Sequence, residues 1–334
     1  MIKKSCLFLW VCLLPGYLVR AQEATLQDTI AVAARQFVDS LRPDQRRQAL
    51  LTFDDPERLR WGNEPENLHA RKGLKLEEMS DRQKRLTHRL LLTVLSEQGY
   101  LKLANVIRLD DWLKKNYYKP PVSDYYGSGW YRLAVFGTPG KDQRWGWRFE
   151  GHHFSLSVTV SPKGVSVTPF FLGSHPAVLP DGPLAGLENM PDATHLAWQL
   201  LQSLDAGQQK QAVLGAKVPG DVQAHTGKED FITHPQGIPA TALNAGQQSI
   251  LKALIRSYTG NLRPSLADKY YQTITGKEWG QLRFAWIGGT APGSPFYYRL
   301  LSPGNIIEYC SRMQDQQHIH TLWRMPAQDF GGAL

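Results

Sequence analysis

Apolar side chains recur along this chain with two periods, and the switches between them lay out its elements. Leu26, Ile30, Ala34, Phe37 and Leu41 fall on one face of a helix that Pro43 interrupts, and a short helix over 44–51 follows. The stretch from Phe53 to Gly73 has no period and reads as a loop with aromatic and charged anchors. Ser80 is placed to cap the next helix, with Lys84 standing where a capping-box acid is looked for. Leu86, Leu90, Val94 and Leu95 form its buried stripe, and Gly99 is expected to end it. A partner helix is predicted over 101–115. A linker rich in Pro, Tyr and Gly then leads to period-two strands at 130–136, 144–150, 153–160 and 165–171, an antiparallel meander. The order then returns, with helices at 192–204, 206–214, 244–258 and 265–275 before strands at 281–287, 296–301, 305–310 and 317–324.

The recurrence has a register. Arg132 and Arg283 lie 151 residues apart, as do Arg148 and Arg299, while Gln83, Leu86 and Leu90 fall against Gln247, Ile250 and Leu254 at 164. The residues 165–170 match 318–323 at 153. The expected fold class is therefore α+β, built as two related halves, each a helix pair plus a four-stranded antiparallel meander, packed as one domain. Its boundaries are a lead-in over 22–73, a first half over 74–175, a helical connector over 176–240 and a second half over 241–334.

Composition adds a compartment. Lys3 and Lys4, an apolar run over 7–14 and Val19-Arg-Ala21 have the form of a secretory signal peptide over 1–21. The expectation is export, periplasmic or secreted, after cleavage near Ala21. The apolar run falls short of the roughly 20 residues of a bilayer span, so no transmembrane segment is expected. Val11 before Cys12 is larger than lipid attachment requires. Cys6 and Cys12 leave with the signal, so Cys310 has no intrachain partner and reads as a small buried hydrophobe or a soft metal ligand. Removing Lys3, Lys4 and Arg20 lowers the formal charge from +8 to +5, without a dense basic run. That argues against nucleic acid and leaves a small-molecule substrate or ligand as the expected partner.

Candidate chemistry gathers at two remote points. Trp145-Gly-Trp-Arg-Phe-Glu-Gly-His-His-Phe154 places His152 and His153 at a strand entrance, and His318-Ile-His320 lies in the last strand. Alternate strand residues share a face, so His318 and His320 can reach one metal, whereas His152 and His153 cannot both do so unless the backbone is re-aimed near Gly151. His318, His320 and one of His152 or His153 make a set suited to zinc with an open position, or to copper or iron. Glu150 or Glu308 is the candidate fourth ligand, orienter or general base, with Glu150 the first choice as orienter or base. Arg148 and Arg299 are the candidate clamp for an anionic substrate. His175, at a strand end, is held in reserve. Trp145, Trp147, Trp286 and Trp323 read as core. Neither a nucleophile elbow nor a phosphate-binding loop is present. These residues fit a metal-dependent exported enzyme, hydrolytic ahead of redox. The alternative is a non-catalytic small-ligand-binding protein of the cell envelope, in which the histidines only hydrogen-bond.

The two histidine motifs, together with Phe53-Asp-x-Pro-Glu-Arg and Trp61, Arg71-x-Gly-Leu, Phe136-Gly-Thr-Pro, Thr168-Pro-Phe-Phe-x-Gly, Tyr297-Tyr-Arg and Ile307-Glu-Tyr, resemble the family catalogued as domain of unknown function 3500. The resemblance runs in order through nearly the whole chain after the signal. It implies a shared architecture and a role for both histidine motifs, without naming an activity. One departure is Met325, where members tend to carry an acidic residue; Asp329 is close by.

Overall fold

A computed structural model describes residues 24–225, 228, 234–311 and 317–334. The expected signal peptide, with Cys6 and Cys12, lies outside the described residues. Among those residues the chain is mixed α/β, with eight α-helices and one 13-stranded sheet. The helices are α1 Leu26–Asp39, α2 Pro43–Ala49, α3 Asp81–Leu92, α4 Glu97–Trp112, α5 Pro191–Ser203, α6 Ala206–Ala212, α7 Ala245–Thr259 and α8 Pro264–Gln272. The strands are β1 Leu50–Leu51, β2 Leu74–Lys75, β3 Arg132–Phe136, β4 Trp145–Gly151, β5 Phe154–Ser161, β6 Gly164–Ser166, β7 Phe170–Ser174, β8 Val213–Gly215, β9 Ile238–Pro239, β10 Arg283–Gly288, β11 Phe296–Ser302, β12 Asn305–Ser311 and β13 Ile319–Arg324. None of the described helices is long and apolar enough to cross a membrane.

Local chemistry explains where the helices start. Ser80 Oγ accepts from the N–H of Gln83, and the Gln83 side-chain oxygen accepts from the Ser80 N–H. The capping-box partner is thus Gln83, three residues on, and not Lys84. Asn244 and Gln247 repeat the device at α7. Gly99 does not end a helix. It lies in the first turn of α4, where Ser96 caps its N–H. An added Cβ there would meet the Asn261 carbonyl oxygen at 2.0 Å, so this glycine permits a close backbone approach.

The sheet runs β1-β3-β4-β5-β7-β13-β12-β11-β10-β8. β3, β4, β5 and β7 pair antiparallel in turn, as do β10 to β13, and β7 pairs antiparallel with β13 in the middle. The two meanders are therefore joined edge to edge in one sheet. The strand predicted over 165–171 is broken into β6 and β7 around Pro169, which lacks a ladder N–H.

Period-two alternation gives this sheet two chemically different faces. Phe296, Tyr298, Leu300, Ile307, Tyr309, Ile319 and Trp323 point into the large core that includes the helices. Each large apolar side chain buried there contributes about 1.5–3 kcal/mol. Their neighbours Tyr297, Arg299, Glu308, Cys310, His320 and Leu322 occupy the other face, where a smaller apolar cluster includes Trp61, Val222, Ala224 and Phe330 from loops. Loops carry many polar groups, and this face matches them with buried charge.

Candidate metal centre

The β4–β5 hairpin turns on His152 and His153 alone, since β4 ends at Gly151 and β5 starts at Phe154. His153 adopts a left-handed backbone with φ +64°. A non-glycine residue is disfavoured there, by roughly 1–2 kcal/mol, so its surroundings must hold it. They do: its N–H donates to the Asn63 carbonyl at 3.1 Å, and its carbonyl accepts from Gly173 N–H at 2.8 Å. The re-aiming expected near Gly151 is accomplished by this turn. Gly151 itself leaves room for Tyr131, whose ring would lie 2.5 Å from an added Cβ and whose hydroxyl donates to the His152 carbonyl.

The turn sends His153 toward the start of β13. His153 Nε2 lies 2.8 Å from His318 Nε2, which lies 3.0 Å from His320 Nε2. The three buried imidazoles offer nitrogens all within 4.8 Å of one another. Ligand nitrogens around tetrahedral zinc are separated by about 3.3 Å, given Zn–N bonds of 2.0–2.1 Å. Hydrogen bonding among neutral rings serves the arrangement poorly, because His318 Nε2 has either a proton or a lone pair and so satisfies one of its two neighbours. An ion at the centre would use all three lone pairs, so the cluster could hold a metal ion.

Two observations favour the ligating form. Burial, then the neighbouring His152, His318, His320 and His175, hold the His153 pKa well below the usual imidazole value, which keeps the ring neutral. Asp221 Oδ1 is 2.6 Å from His320 Nδ1. The carboxylate calls for the proton on Nδ1 and leaves the Nε2 lone pair aimed inward, the carboxylate–histidine pairing common behind metal ligands. Asn63 Nδ2 also approaches Nδ1, at 3.4 Å.

Of the expected ligands, the structure brings together His153, His318 and His320, and leaves His152 outside that group. His152 Nδ1 instead meets Asp110 Oδ1 at 2.6 Å, and its ring stacks on His153 at 3.7 Å. Asp110, on α4, also accepts from Gly127 N–H at 2.9 Å. The reserved His175 stacks on His318 at 4.5 Å, nearly parallel at 5°. Ring contacts continue from His175 to Tyr117 at 5.0 Å, and from His152 through Tyr126 and Tyr118 to the same Tyr117, which is 51% exposed.

The remaining candidates brace the covering loops. Arg148 Nε pairs with Glu150 at 2.7 Å and its Nη2 with Glu57 at 2.9 Å, while Glu150 reaches Arg71 at 3.8 Å and Gly62 N–H at 3.4 Å. The segment held this way carries Trp61 and Asn63. Arg299 is opposite Glu308 in the ladder. Glu308 is fully buried, and burial raises its carboxyl pKa against the lowering effect of its hydrogen bonds. Its oxygens accept from Tyr297 Oη at 2.5 Å, Gln223 N–H at 2.8 Å and Ala224 N–H at 2.7 Å. Glu308 is therefore not a fourth member of the histidine group. Cys310 faces His320 across the ladder, but its thiol is 3.4 Å from the Pro219 carbonyl and stays outside the group. Asp221, Asn63 and Asp110 were not among the expected site residues: the first two lie in aperiodic loops, and Asp110 reads as one more polar position of a helix.

The fold and site define a mixed α/β protein with a buried histidine cluster at the end of the β7–β13 pair of a sheet covered by loops on one face. The chain belongs to the family described as "Protein of unknown function (DUF3500)", which matches residues 23–332. Neither the curated proteins nor the solved structures compared gave a match.

Proposed function

We propose that this protein is an exported metal-dependent enzyme acting on a small molecule, with zinc the first candidate ion and hydrolysis the first candidate reaction. The observation that carries the reading is the convergence of three Nε2 atoms from two remote sequence motifs, with Asp221 behind one ring. A bound divalent ion would supply Lewis acidity. The chain's own residues keep His153 neutral, fix the His320 tautomer through Asp221 and bury all three rings. His152, anchored at Nδ1 by Asp110, stacks on His153 beside the cluster and acts in this reading by holding that ring in place. Glu150 and Arg148 act in this reading by positioning loops, and Arg299 by supporting Tyr297 and Glu308, instead of as base and clamp. A non-catalytic binding protein would leave the convergence unexplained.

Redox chemistry at copper or iron is the second reading. It is favoured by the unbroken ring contacts from His318 through His175 to exposed Tyr117.

We also infer that the chain consists of two related halves and that the repeat is longer than a helix pair and a meander. Support comes from the element order α-α-β-β-α-α followed by four main strands, which occurs twice, and from β1 and β8 running parallel to β3 and β10 at the two ends of the sheet. The segments taken as lead-in and connector then belong to the repeat. His153 corresponds to Gly304 at the offset of 151, and β13 with the residue before it corresponds to β7 and Pro169, which carry no histidine. The duplication therefore yields one histidine centre, not two.

Elemental analysis by mass spectrometry, on protein purified from its exported location without added metal, tests the reading. The expectation is near one transition-metal ion per chain in the wild type and in His152→Ala, and none in His318→Ala/His320→Ala. A wild type without metal, whose stability does not respond to added zinc or copper, would overturn it in favour of ligand binding alone.

A further inference from the structure

We propose that Glu308 is a positioning residue that sets metal affinity through Asp221, an inference that rests on the metal reading above. Asp221 belongs to a loop without regular structure; Val222 N–H donates to its Oδ1 at 2.7 Å and orients the carboxylate locally, but this bond does not fix where the loop lies over His320 Nδ1, 2.6 Å away. The neighbouring strands hold it. Glu308, in β12, receives the backbone N–H groups of Gln223 and Ala224 at 2.8 and 2.7 Å, while Arg324, in β13, donates to the Ala224 carbonyl at 2.9 Å. Arg324 is itself held by Asp329 at 2.7 Å. Loop backbone is thus gripped through donor and acceptor groups two and three residues beyond Asp221, and Val222 and Ala224 pack with Trp61 and Phe171 beneath it.

The carboxylate is the required group. Three donors converge on the two Glu308 oxygens, two on Oε1 and one on Oε2. A glutamine would turn one acceptor into an NH2 and oppose it to a backbone or tyrosine donor, releasing the loop at that point. The chain of effect is Glu308 to Gln223 and Ala224, to Asp221, to the His320 tautomer and ring orientation. Groups behind metal ligands commonly account for about 10–100-fold in affinity.

The test measures zinc affinity by chelator competition on the full mature protein, for wild type, Glu308→Gln, Asp221→Asn and the double variant. We expect each single variant to bind zinc about 10-fold or more weakly. The double variant should be no weaker than Asp221→Asn alone, because the two substitutions break one path. Additive losses would show that Glu308 acts otherwise than through Asp221, and an unchanged affinity in Glu308→Gln would overturn the proposal outright. Should Glu308→Gln not fold, Glu308→Asp keeps the charge and withdraws it by one methylene, with the same non-additivity expected. Zinc binding absent from the wild type would sink the metal reading together with this one, whereas normal binding in every variant sinks this one alone.

Discussion

His153 carries the site's most constrained chemistry. It combines a left-handed backbone, full burial of its ring and a pKa held well below the imidazole range. Linkage gives a sign. Above about pH 6.5 the ring is neutral in both folded and unfolded chains; as the pH falls, the unfolded chain takes a proton that the folded one refuses, so stability is lost toward acid. His69, His88 and His225, also depressed by burial, push the same way, while Glu308, raised by burial, pushes the other way in the carboxylate range. A comparison isolates His153. In metal-free protein the melting temperature of His153→Asn, a residue that tolerates φ > 0, should fall less steeply between pH 7 and 5 than that of the wild type. Parallel profiles would show that His153 is not buried neutral.

At the level of elements, periodicity recovered what repeats and missed what depends on approach. Most of the long strands, the two clustered histidine motifs and the shared face of His318 and His320 were legible because alternation is a property of the strand itself; the short β1, β2, β8 and β9 and the break between β6 and β7 were not. Gly99 was misread because its reason lies in Asn261, far along the chain. That contact carries a prediction. On propensity alone Gly99→Ala would stabilise α4 by about 1 kcal/mol. The Cβ at 2.0 Å from the Asn261 carbonyl reverses this, since it forces apart the junction where Ser96 also donates to the Gly260 carbonyl. A net loss of about 1–3 kcal/mol in chemical denaturation is expected, and a gain would mean that α4 and the Asn261 turn separate freely. Asp221 was illegible for a related reason. Nothing periodic marks it, and its role arises only because Glu308 and Arg324 hold its loop over His320.

The whole molecule is a single sheet whose two meanders share one antiparallel pair, β7 with β13. The histidine centre stands at the end of that pair: His153 comes from the β4–β5 turn of the first meander, His318 from just before the last strand of the second and His320 from within it, and Gly173 of β7 links them by pairing with His320 in the ladder and donating its N–H to the His153 carbonyl. An ion bound there would tie the two meanders together a second time, beyond the β7–β13 ladder. With free zinc at about 100 times its Kd, linkage predicts a gain of about 2.7 kcal/mol over the metal-free protein. Because the tie crosses between meanders, the gain should raise one cooperative transition seen alike by tryptophan fluorescence and far-ultraviolet dichroism. His318→Ala/His320→Ala should melt at the same temperature with and without zinc. Two separated transitions in the metal-free protein that merge on zinc addition would mean that the ladder alone does not unite the meanders and that the ion does. A zinc response retained in the double variant would place the stabilising ion somewhere other than between them.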